Sequence, residues 1–94
     1  MSFTLKKQPS EAMREIAERF QKLRRKEGFT QAECAERSGV SLGSLKRFER
    51  TGKISLESLL LLARLIDRVE DFDGVFKPSE DRSAIEGLFS DFLE

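Results

Sequence analysis

Residues 29–52 read FTQAECAERSGVSLGSLKRFERTG and predict two short helices joined by a tight turn. Thr30 and Glu33 match a capping box, in which each side chain bonds to the other residue's backbone N–H, so a helix begins here. Gly39 ends this helix, because glycine readily adopts the left-handed conformation found at helix C-termini. Ser41 caps the next helix almost at once. This succession has the spacing of a helix-turn-helix motif.

The second of these helices, which continues to about Arg50, has two chemically different faces. On a helical wheel Leu45 and Phe48 point to one side and are predicted to pack on the core. The opposite arc holds five residues, with Ser44 and Glu49 at its borders: Leu42, Gly43, Lys46, Arg47 and Arg50. Lys and Arg can reach guanine O6 and N7 or a phosphate, and Leu can touch a thymine methyl group. The pattern favours a DNA-contacting face, and the alternative is an ordinary exposed helix with solvated cations.

Apolar spacing predicts a helix on each side of this pair. The first begins at Pro9-Ser10, with Ser10 as its cap, and ends at Gly28. Its buried face is predicted from three- and four-residue spacing to consist of Met13, Ile16, Ala17, Phe20 and Leu23. Ser55 caps a fourth helix from Leu56 to about Asp67, which is apolar on nearly every side. Such a helix is either central in the core or in contact with a partner subunit.

Beyond Asp67 the chain is acidic and carries two further apolar groups. We expect one short helical turn, packed back on the core, from Val69, Phe72, Val75 and Phe76. After Pro78, apolar residues recur at helical spacing in a segment too short to be a stable helix alone: Ile85, Leu88, Phe89, Phe92 and Leu93. We expect Leu88, Phe89 and Phe92 to bind a protein partner, as an amphipathic helix in a groove does. The alternative is a tail that folds back over the fourth helix of its own chain.

Composition limits the chemistry of the chain. Its 94 residues, 38% hydrophobic with eight Phe, suffice for one small core. One cysteine and no histidine argue against a disulfide framework, a zinc site and the usual base for nucleophilic catalysis. Cys34 is expected to be a core thiol. No apolar run is long enough to span a bilayer, and no signal-peptide pattern is seen. We therefore expect a cytoplasmic, nucleoid-associated protein that is not an enzyme, with no cofactor, metal, membrane or small-molecule substrate.

The net charge of zero conceals a strong division of charge along the chain. Residues 1–53 hold 13 Lys and Arg against 7 Asp and Glu, a balance of +6. Residues 54–94 hold 4 against 10, a balance of −6. This asymmetry indicates a half that faces a polyanion, joined to an acidic half suited to a protein surface.

Residues 23–66, LRRKEGFTQAECAERSGVSLGSLKRFERTGKISLESLLLLARLI, resemble the λ-repressor-like, Xre-type helix-turn-helix family. The resemblance implies that Gln31 bonds a backbone phosphate of DNA. It implies base reading by Leu42, Gly43, Lys46 and Arg47, and positions near the phosphate backbone for Ser41, Ser44, Arg50 and Lys53. Family members often carry polar residues where this chain has Leu42 and Gly43, whose side chains cannot hydrogen-bond a base. Readout is therefore expected to depend on Lys46 and Arg47, or on DNA shape.

Residues 47–76, RFERTGKISLESLLLLARLIDRVEDFDGVF, resemble the HipB-type regulators, which are antitoxins that accompany HipA-type kinase toxins. This resemblance implies a homodimer that binds operator DNA of its own operon and also binds a toxin. Two other functions remain open: a protein-interaction module with the helix-turn-helix as scaffold, and a phage-type repressor without a toxin partner.

These observations predict an all-α, compact five- to six-helix λ-repressor-like domain that binds double-stranded DNA and represses transcription. Residues 1–9 would form an N-terminal arm, residues 10–77 the helix-turn-helix domain, and residues 78–94 an acidic amphipathic tail.

Overall fold

Four α-helices follow one another in residues 6–78, the part of the chain that the computed structural model describes. They are α1 (Pro9–Lys26), α2 (Gln31–Ser38), α3 (Leu42–Thr51) and α4 (Leu56–Leu65), and a 3₁₀ turn follows at Val69–Phe72. This range contains no β-strand. The all-α prediction is confirmed there, whereas the predicted five or six helices are not matched.

Three helices begin at the predicted caps. The Thr30 hydroxyl accepts from Glu33 N at 3.1 Å, and the Glu33 carboxylate accepts from Thr30 N at 3.0 Å, which completes the capping box of α2. Ser41 and Ser55 each accept a backbone N–H three residues later, at 3.1 Å, and so cap α3 and α4. These bonds satisfy N–H groups that have no partner inside the helix.

The start of α1 differs from the prediction. Pro9 is the first helical residue and Gln8 is the N-cap, without a side-chain hydrogen bond, so the prediction that Ser10 caps this helix is wrong. Proline suits the first helical position, because its φ is already helical and its missing N–H would have no partner there. It therefore begins the helix one residue before Ser10.

Glycines end both helices of the central pair. Gly39 after α2 and Gly52 after α3 each adopt a φ of 84°. The surroundings of Gly52 are crowded, since a Cβ there would lie 2.7 Å from the backbone carbonyl carbon of Met13 in α1. Gly52 therefore permits both the end of α3 and its close approach to α1.

One core joins the four helices. Helix α3 packs on α1 and α2, and α4 packs on α2. The rings of Phe20 and Phe48 lie 5.8 Å apart in a tilted arrangement that aromatic pairs favour. The predicted inner residues Leu45 and Phe48 are buried, and so is Cys34, whose thiol pKa is raised by that burial.

The predicted apolar face of α1 is only partly buried. Ala17 and Phe20 are fully inside, whereas Met13 and Leu23 are half-buried. Ile16 is 39% exposed, which corrects the prediction that it belongs to the buried face. Ile16 lines a groove beside α4.

Helix α4 is covered on one side only among the described residues. Leu62 and Ala63 are buried, the leucines at 59, 60 and 61 are half-buried, and Leu56 is 66% exposed. The helix ends at Leu65, two residues before the predicted Asp67. Asp67 adopts a φ of 59°, a conformation that cannot continue an α-helix and that Asp tolerates better than most residues.

Residues 66–78 form no further α-helix after α4. Val69–Phe72 forms a 3₁₀ turn that packs on α4, as predicted for a short helical turn. Of the four predicted residues only Phe72 is half-buried. Val69, Val75 and Phe76 are exposed, Phe76 fully, so the prediction that these three pack back on the core is wrong. Helical register is lost after Phe72, and Phe76 itself adopts a φ of 61°.

Two predicted segments extend beyond the structural description. The predicted arm lies largely outside the described residues, and the predicted partner-binding residues Leu88, Phe89 and Phe92 lie entirely outside them. Within residues 6–78, no helix has both the length and the apolar character needed to cross a membrane.

Candidate nucleic-acid interface

The outward face of α3 carries the predicted base-reading residues. Leu42, Gly43, Lys46 and Arg47 are all exposed on this one helix, while Leu45 and Phe48 hold its other side in the core. Leu42 is 37% exposed, and such an exposed leucine beside cations can meet an apolar group of a ligand. The structure thus brings the four residues together on one rigid surface.

The N-terminus of α3 presents two of the predicted phosphate-contacting residues. Ser41 caps the helix, and its Oγ lies 2.8 Å from the Oγ of Ser44. Both serines are exposed. The first turn of a helix also presents unpaired N–H groups and a partial positive charge, so this end of α3 is suited to an anion.

A threonine fixes the loop that carries Lys53. The Thr51 hydroxyl donates to the Arg47 carbonyl at 2.7 Å and accepts from Lys53 N at 3.1 Å. The loop is therefore held against the last turn of α3, close to Arg47. Arg50 is exposed on that same turn.

A depression of about 220 Å³ lies between α3 and the start of α4. Its lining includes the predicted contact residues Ser44, Arg47 and Lys53. It also includes Ser55 and Ser58, which the sequence pattern does not mark as site residues. Ser55 caps α4, so two cations, three hydroxyls and a helix N-terminus surround one small space, an arrangement that suits a phosphate.

The sequence alone predicts the capping role of Ser55 but not the position of Ser55 and Ser58 beside Arg47. Ser55 is recognisable as a cap from its own neighbourhood, because the bond to Ser58 N spans three residues. Its position beside Arg47 depends on the turn between α3 and α4, which no local pattern specifies.

Gln31 begins α2 and is half-buried rather than fully extended into solvent. Its amide Nε2 donates to the Glu49 carboxylate at 3.0 Å. An amide nitrogen carries two N–H groups, so this bond leaves Gln31 with donor capacity for a phosphate.

Glu49 lies at the centre of a buried ion pair beneath the α3 face. Arg24 donates to its carboxylate through Nε at 2.7 Å and through Nη2 at 2.9 Å, and Gln21 donates at 3.1 Å. Arg24 also donates to the Phe29 carbonyl at 2.8 Å. The side chains of Arg24 and Glu49 are 7% and 2% exposed. This cluster connects α1, the start of α2 and α3.

This pair corrects the sequence-based position of Glu49. The helical wheel puts Glu49 at the border of the outward arc, and Arg24 belongs to the basic last turn of α1. Both side chains lie inside, because a bidentate ion pair with further hydrogen bonds offsets much of the cost of removing two charges from water. The pair contributes no net charge, so the balance of +6 over residues 1–53 is unaffected.

The pair remains ionised at neutral pH. Burial acts to raise the pKa of Glu49, but hydrogen bonds from Arg24, Gln31 and Gln21 outweigh it and hold the pKa below its ordinary value. The hydrogen bond to Glu49 raises the pKa of Arg24. Glu49 therefore stays charged at neutral pH beneath the exposed face of α3.

The exposed groups of this surface are of the types found in DNA-binding proteins. Across residues 6–78, no group of three or more His, Cys, Asp or Glu side chains is arranged to hold a metal ion. The exposed features are cations, hydroxyls, one leucine and helix N-termini, which are the groups that proteins use to contact DNA.

Comparison with known proteins agrees with this geometry. A family model described as helix-turn-helix matches residues 20–70, more than half of the chain, including all of α2, α3 and α4. No curated protein and no solved structure gave a match. The matched range contains every predicted DNA-contacting residue from Gln31 to Lys53. The chain therefore belongs to the λ-repressor-like, Xre-type helix-turn-helix family of DNA-binding regulators.

Proposed function

We propose that this protein is a sequence-specific transcriptional repressor that inserts α3 into the major groove of double-stranded operator DNA. The observation that carries the proposal is the exposed face of α3, where Lys46 and Arg47 stand on a helix anchored by Leu45 and Phe48. A rigid helix of this kind fits the width of the major groove. Membership of the helix-turn-helix family supports it.

Base readout is assigned chiefly to two cations. Arg47 and Lys46 donate to guanine O6 and N7, and Leu42 contacts a thymine methyl group. Gly43 has no side chain, so it permits close approach of the helix without reading a base. With so few direct contacts, sequence-dependent DNA shape contributes part of the specificity.

Phosphate contacts are assigned to the rim of the same face. Gln31 is the first residue of α2. Ser41 and Ser44 lie at the start of α3, Arg50 lies in its last turn, and Lys53 lies in the loop that follows. The depression lined by Ser44, Arg47, Lys53, Ser55 and Ser58 is the proposed seat of one phosphate group. The backbone N–H groups at the start of α4 would add to that seat, as at other helix N-termini that bind anions.

A mobility-shift assay tests the proposal. The protein is titrated against DNA from upstream of its own gene and against a shuffled duplex of equal length and composition, each at two salt concentrations. We expect tighter binding to the upstream DNA. We also expect the logarithm of the association constant to fall linearly with the logarithm of the salt concentration, with a slope of about −0.9 for each phosphate contact. Equal binding to both duplexes would refute sequence specificity. No binding at low salt would favour the protein-interaction module.

We also propose that the repressor is a homodimer. The exposed Leu56 and half-buried leucines of α4 support a protein contact on that side.

We propose further that it acts as a HipB-like antitoxin that binds a HipA-type kinase. Leu88, Phe89 and Phe92 are the proposed partner-binding residues. Co-purification of the intact chain with a kinase encoded beside it tests this role, and the matched control is the triple variant with Asp at these three positions. Equal capture by both would remove these residues from the partner site.

A further inference from the structure

An apolar groove of about 330 Å³ lies between α1 and α4, and it shares no lining residue with the depression assigned to phosphate. Its apolar lining comes from α1, α4 and the segment after α4, including Ile16, Phe20, Leu23, Leu59, Ile66 and Val75. Its volume is within the range of about 300–1,000 Å³ that is typical of pockets for small organic groups. The groove can therefore take large apolar side chains.

Apolar side chains at the edge of the groove are open to solvent. Ile16 is 39% exposed and Val75 is 55% exposed. Adjoining exposed apolar groups beside a concave surface favour a covering segment, since burial removes their area from water.

We propose that the groove is the resting seat of residues 79–94 of the same chain, with the apolar face of residues 85–93 turned into it. The position of the last described residues supports this occupant. Val75 lines the groove, and the described chain ends only three residues later, at Pro78. The ten residues from Val75 to Ile85 can span up to about 33 Å when extended, which is enough for the chain to turn back along α4.

The spacing of the apolar residues fits this seat. Ile85, Leu88, Phe89 and Phe92 stand in an i, i+3, i+4, i+7 relation, which is the anchor pattern of helices laid into grooves. Eight helical residues, 85–92, measure about 12 Å. The opposite side of that helix would carry Glu86 and Ser90 and remain in water.

Charge at the groove complements the segment. Arg19 and Arg68 both line it, and the Arg19 side chain is 73% exposed. Asp71 also lines the groove and is paired with Arg68 at 2.8 Å. Arg19 lies 3.6 Å from Glu15, whose carboxylate is closer to Lys7 at 2.6 Å, so Arg19 carries more of the attraction. Residues 79–94 hold five acidic residues and one Arg, a balance of −4.

Attachment in the same chain favours this seat over one on a second copy. A short linker raises the effective concentration of the segment to about the millimolar range. Closing a loop of this length costs little more than closing a shorter one, because the cost grows only with the logarithm of length. The inference goes beyond the proposed function: a protein partner that binds Leu88, Phe89 and Phe92 must first displace them from the groove.

Tryptophan fluorescence of the full chain tests the seat, because the natural sequence has no Trp and no Tyr. In the variant Phe89→Trp, we expect emission at shorter wavelength than in the urea-unfolded chain, as for a buried indole. Adding Ile16→Asp or Val75→Asp at the edge of the groove should move the emission toward the unfolded value. The matched control is Ala32→Asp, which adds the same charge at an exposed position of α2, a helix that contributes no lining residue to the groove, and should leave the emission unchanged. Circular dichroism reports whether each variant keeps its helices, and Val75 lies outside the helices, so one groove variant remains informative if the other unfolds.

A mixing experiment separates the same chain from a second copy. A chain carrying Phe89→Trp and Val75→Asp is mixed with an excess of the natural chain, whose groove is intact and which has no Trp. Unchanged emission on mixing is expected. A shift to shorter wavelength would place the seat on a second copy and overturn the proposal. Emission at the unfolded value in Phe89→Trp alone, or no response to either groove variant, would also overturn it.

Discussion

At the scale of single residues, Glu49 connects the stability of the domain to the placement of its proposed DNA face. Its carboxylate accepts hydrogen bonds from Arg24, Gln21 and Gln31, which come from α1 and α2. Gln31 is also a proposed phosphate contact. A buried anion on the inner side of α3 therefore holds both the helix and one of its neighbouring contacts in place.

Removal of this carboxylate should destabilise the fold strongly. Glu49→Ala leaves the Arg24 guanidinium buried without its partner, and breaking a buried pair in this way costs about 3–5 kcal/mol. Urea unfolding followed by circular dichroism measures the change. The control Glu36→Ala, at an exposed position on α2, should stay within about 0.5 kcal/mol of the natural protein. Equal changes in the free energy of unfolding for the two substitutions would show that the Arg24–Glu49 pair does not stabilise the fold.

The same carboxylate predicts a loss of stability in acid. The folded-state pKa of Glu49 lies below its ordinary value, so its contribution is fully present above the unfolded pKa, about 4.3 for Glu. It is lost as pH falls from there through the folded pKa. The free energy of unfolding, measured at steps between about pH 6 and pH 3, should therefore decline in acid. In Glu49→Gln the free energy of unfolding should fall less steeply with decreasing pH. Parallel pH dependences for the variant and the natural protein would show that Glu49 does not cause the loss of stability.

Base readout is predicted to depend on Arg47 of α3 more than on Lys53 in the loop after this helix. Arg47→Ala should cost about 1–3 kcal/mol on the specific site and relax preference at one base position. Lys53→Ala should instead weaken binding to every sequence, because phosphate contacts do not read bases. Arg64→Ala, exposed on the last turn of α4, is the control. An equal loss on specific and random DNA for Arg47→Ala would remove it from the base readers.

At the scale of elements, the crossing of α3 on α1 depends on a glycine. Gly52 ends α3 in the left-handed region, and its backbone lies so close to Met13 that no Cβ fits. Lys53, one residue later, lines the proposed phosphate seat. The contact that packs α3 on α1 therefore also determines where the α3–α4 loop lies.

Two glycine substitutions separate conformational strain from this close contact. Gly39→Ala places Ala at a φ of 84° in open space, which should cost about 1–2 kcal/mol. Gly52→Ala has the same φ and adds the clash with Met13, so it should lower the free energy of unfolding further. Chemical denaturation of both variants measures the difference. Equal decreases in the free energy of unfolding for the two variants would show that α1 moves away from the added methyl group without a loss of stability.

At the scale of the whole molecule, the basic and acidic halves are expected to serve different partners. The proposed DNA face is formed by α2, α3 and the loop that follows, whereas the exposed apolar surface lies along α4 and the groove beside it. A dimer formed through the α4 side would leave both α3 helices free for DNA. Half-sites about 34–36 Å apart would then match two such helices.

Sedimentation equilibrium checks this assembly. At micromolar concentration we expect about twice the chain mass of 10.8 kDa. Leu56→Asp should shift the distribution toward the monomer, because it places a charge on the exposed apolar side of α4. A clean monomer of the natural protein that retains tight binding to a single half-site would contradict the dimer.

The sequence by itself determined the features that arise from neighbours along the chain. The predicted caps at Thr30, Ser41 and Ser55 are confirmed, because each bond spans three residues. The inner face of α3 follows from helical periodicity alone, since Leu45 and Phe48 stand three residues apart. The helix-turn-helix and its outward residues are therefore consequences of local sequence.

Only the tertiary structure decided the contacts between distant residues. Arg24 and Glu49 are 25 residues apart, and nothing in either neighbourhood marks them as a buried pair. The same is true of the depression that joins Arg47 to Ser55 and of the groove between α1 and α4. The physical reason is that hydrogen bonds and side-chain spacing within one helix follow from local geometry, whereas meetings between helices depend on their crossing angles and distances, which the packing of the whole core sets.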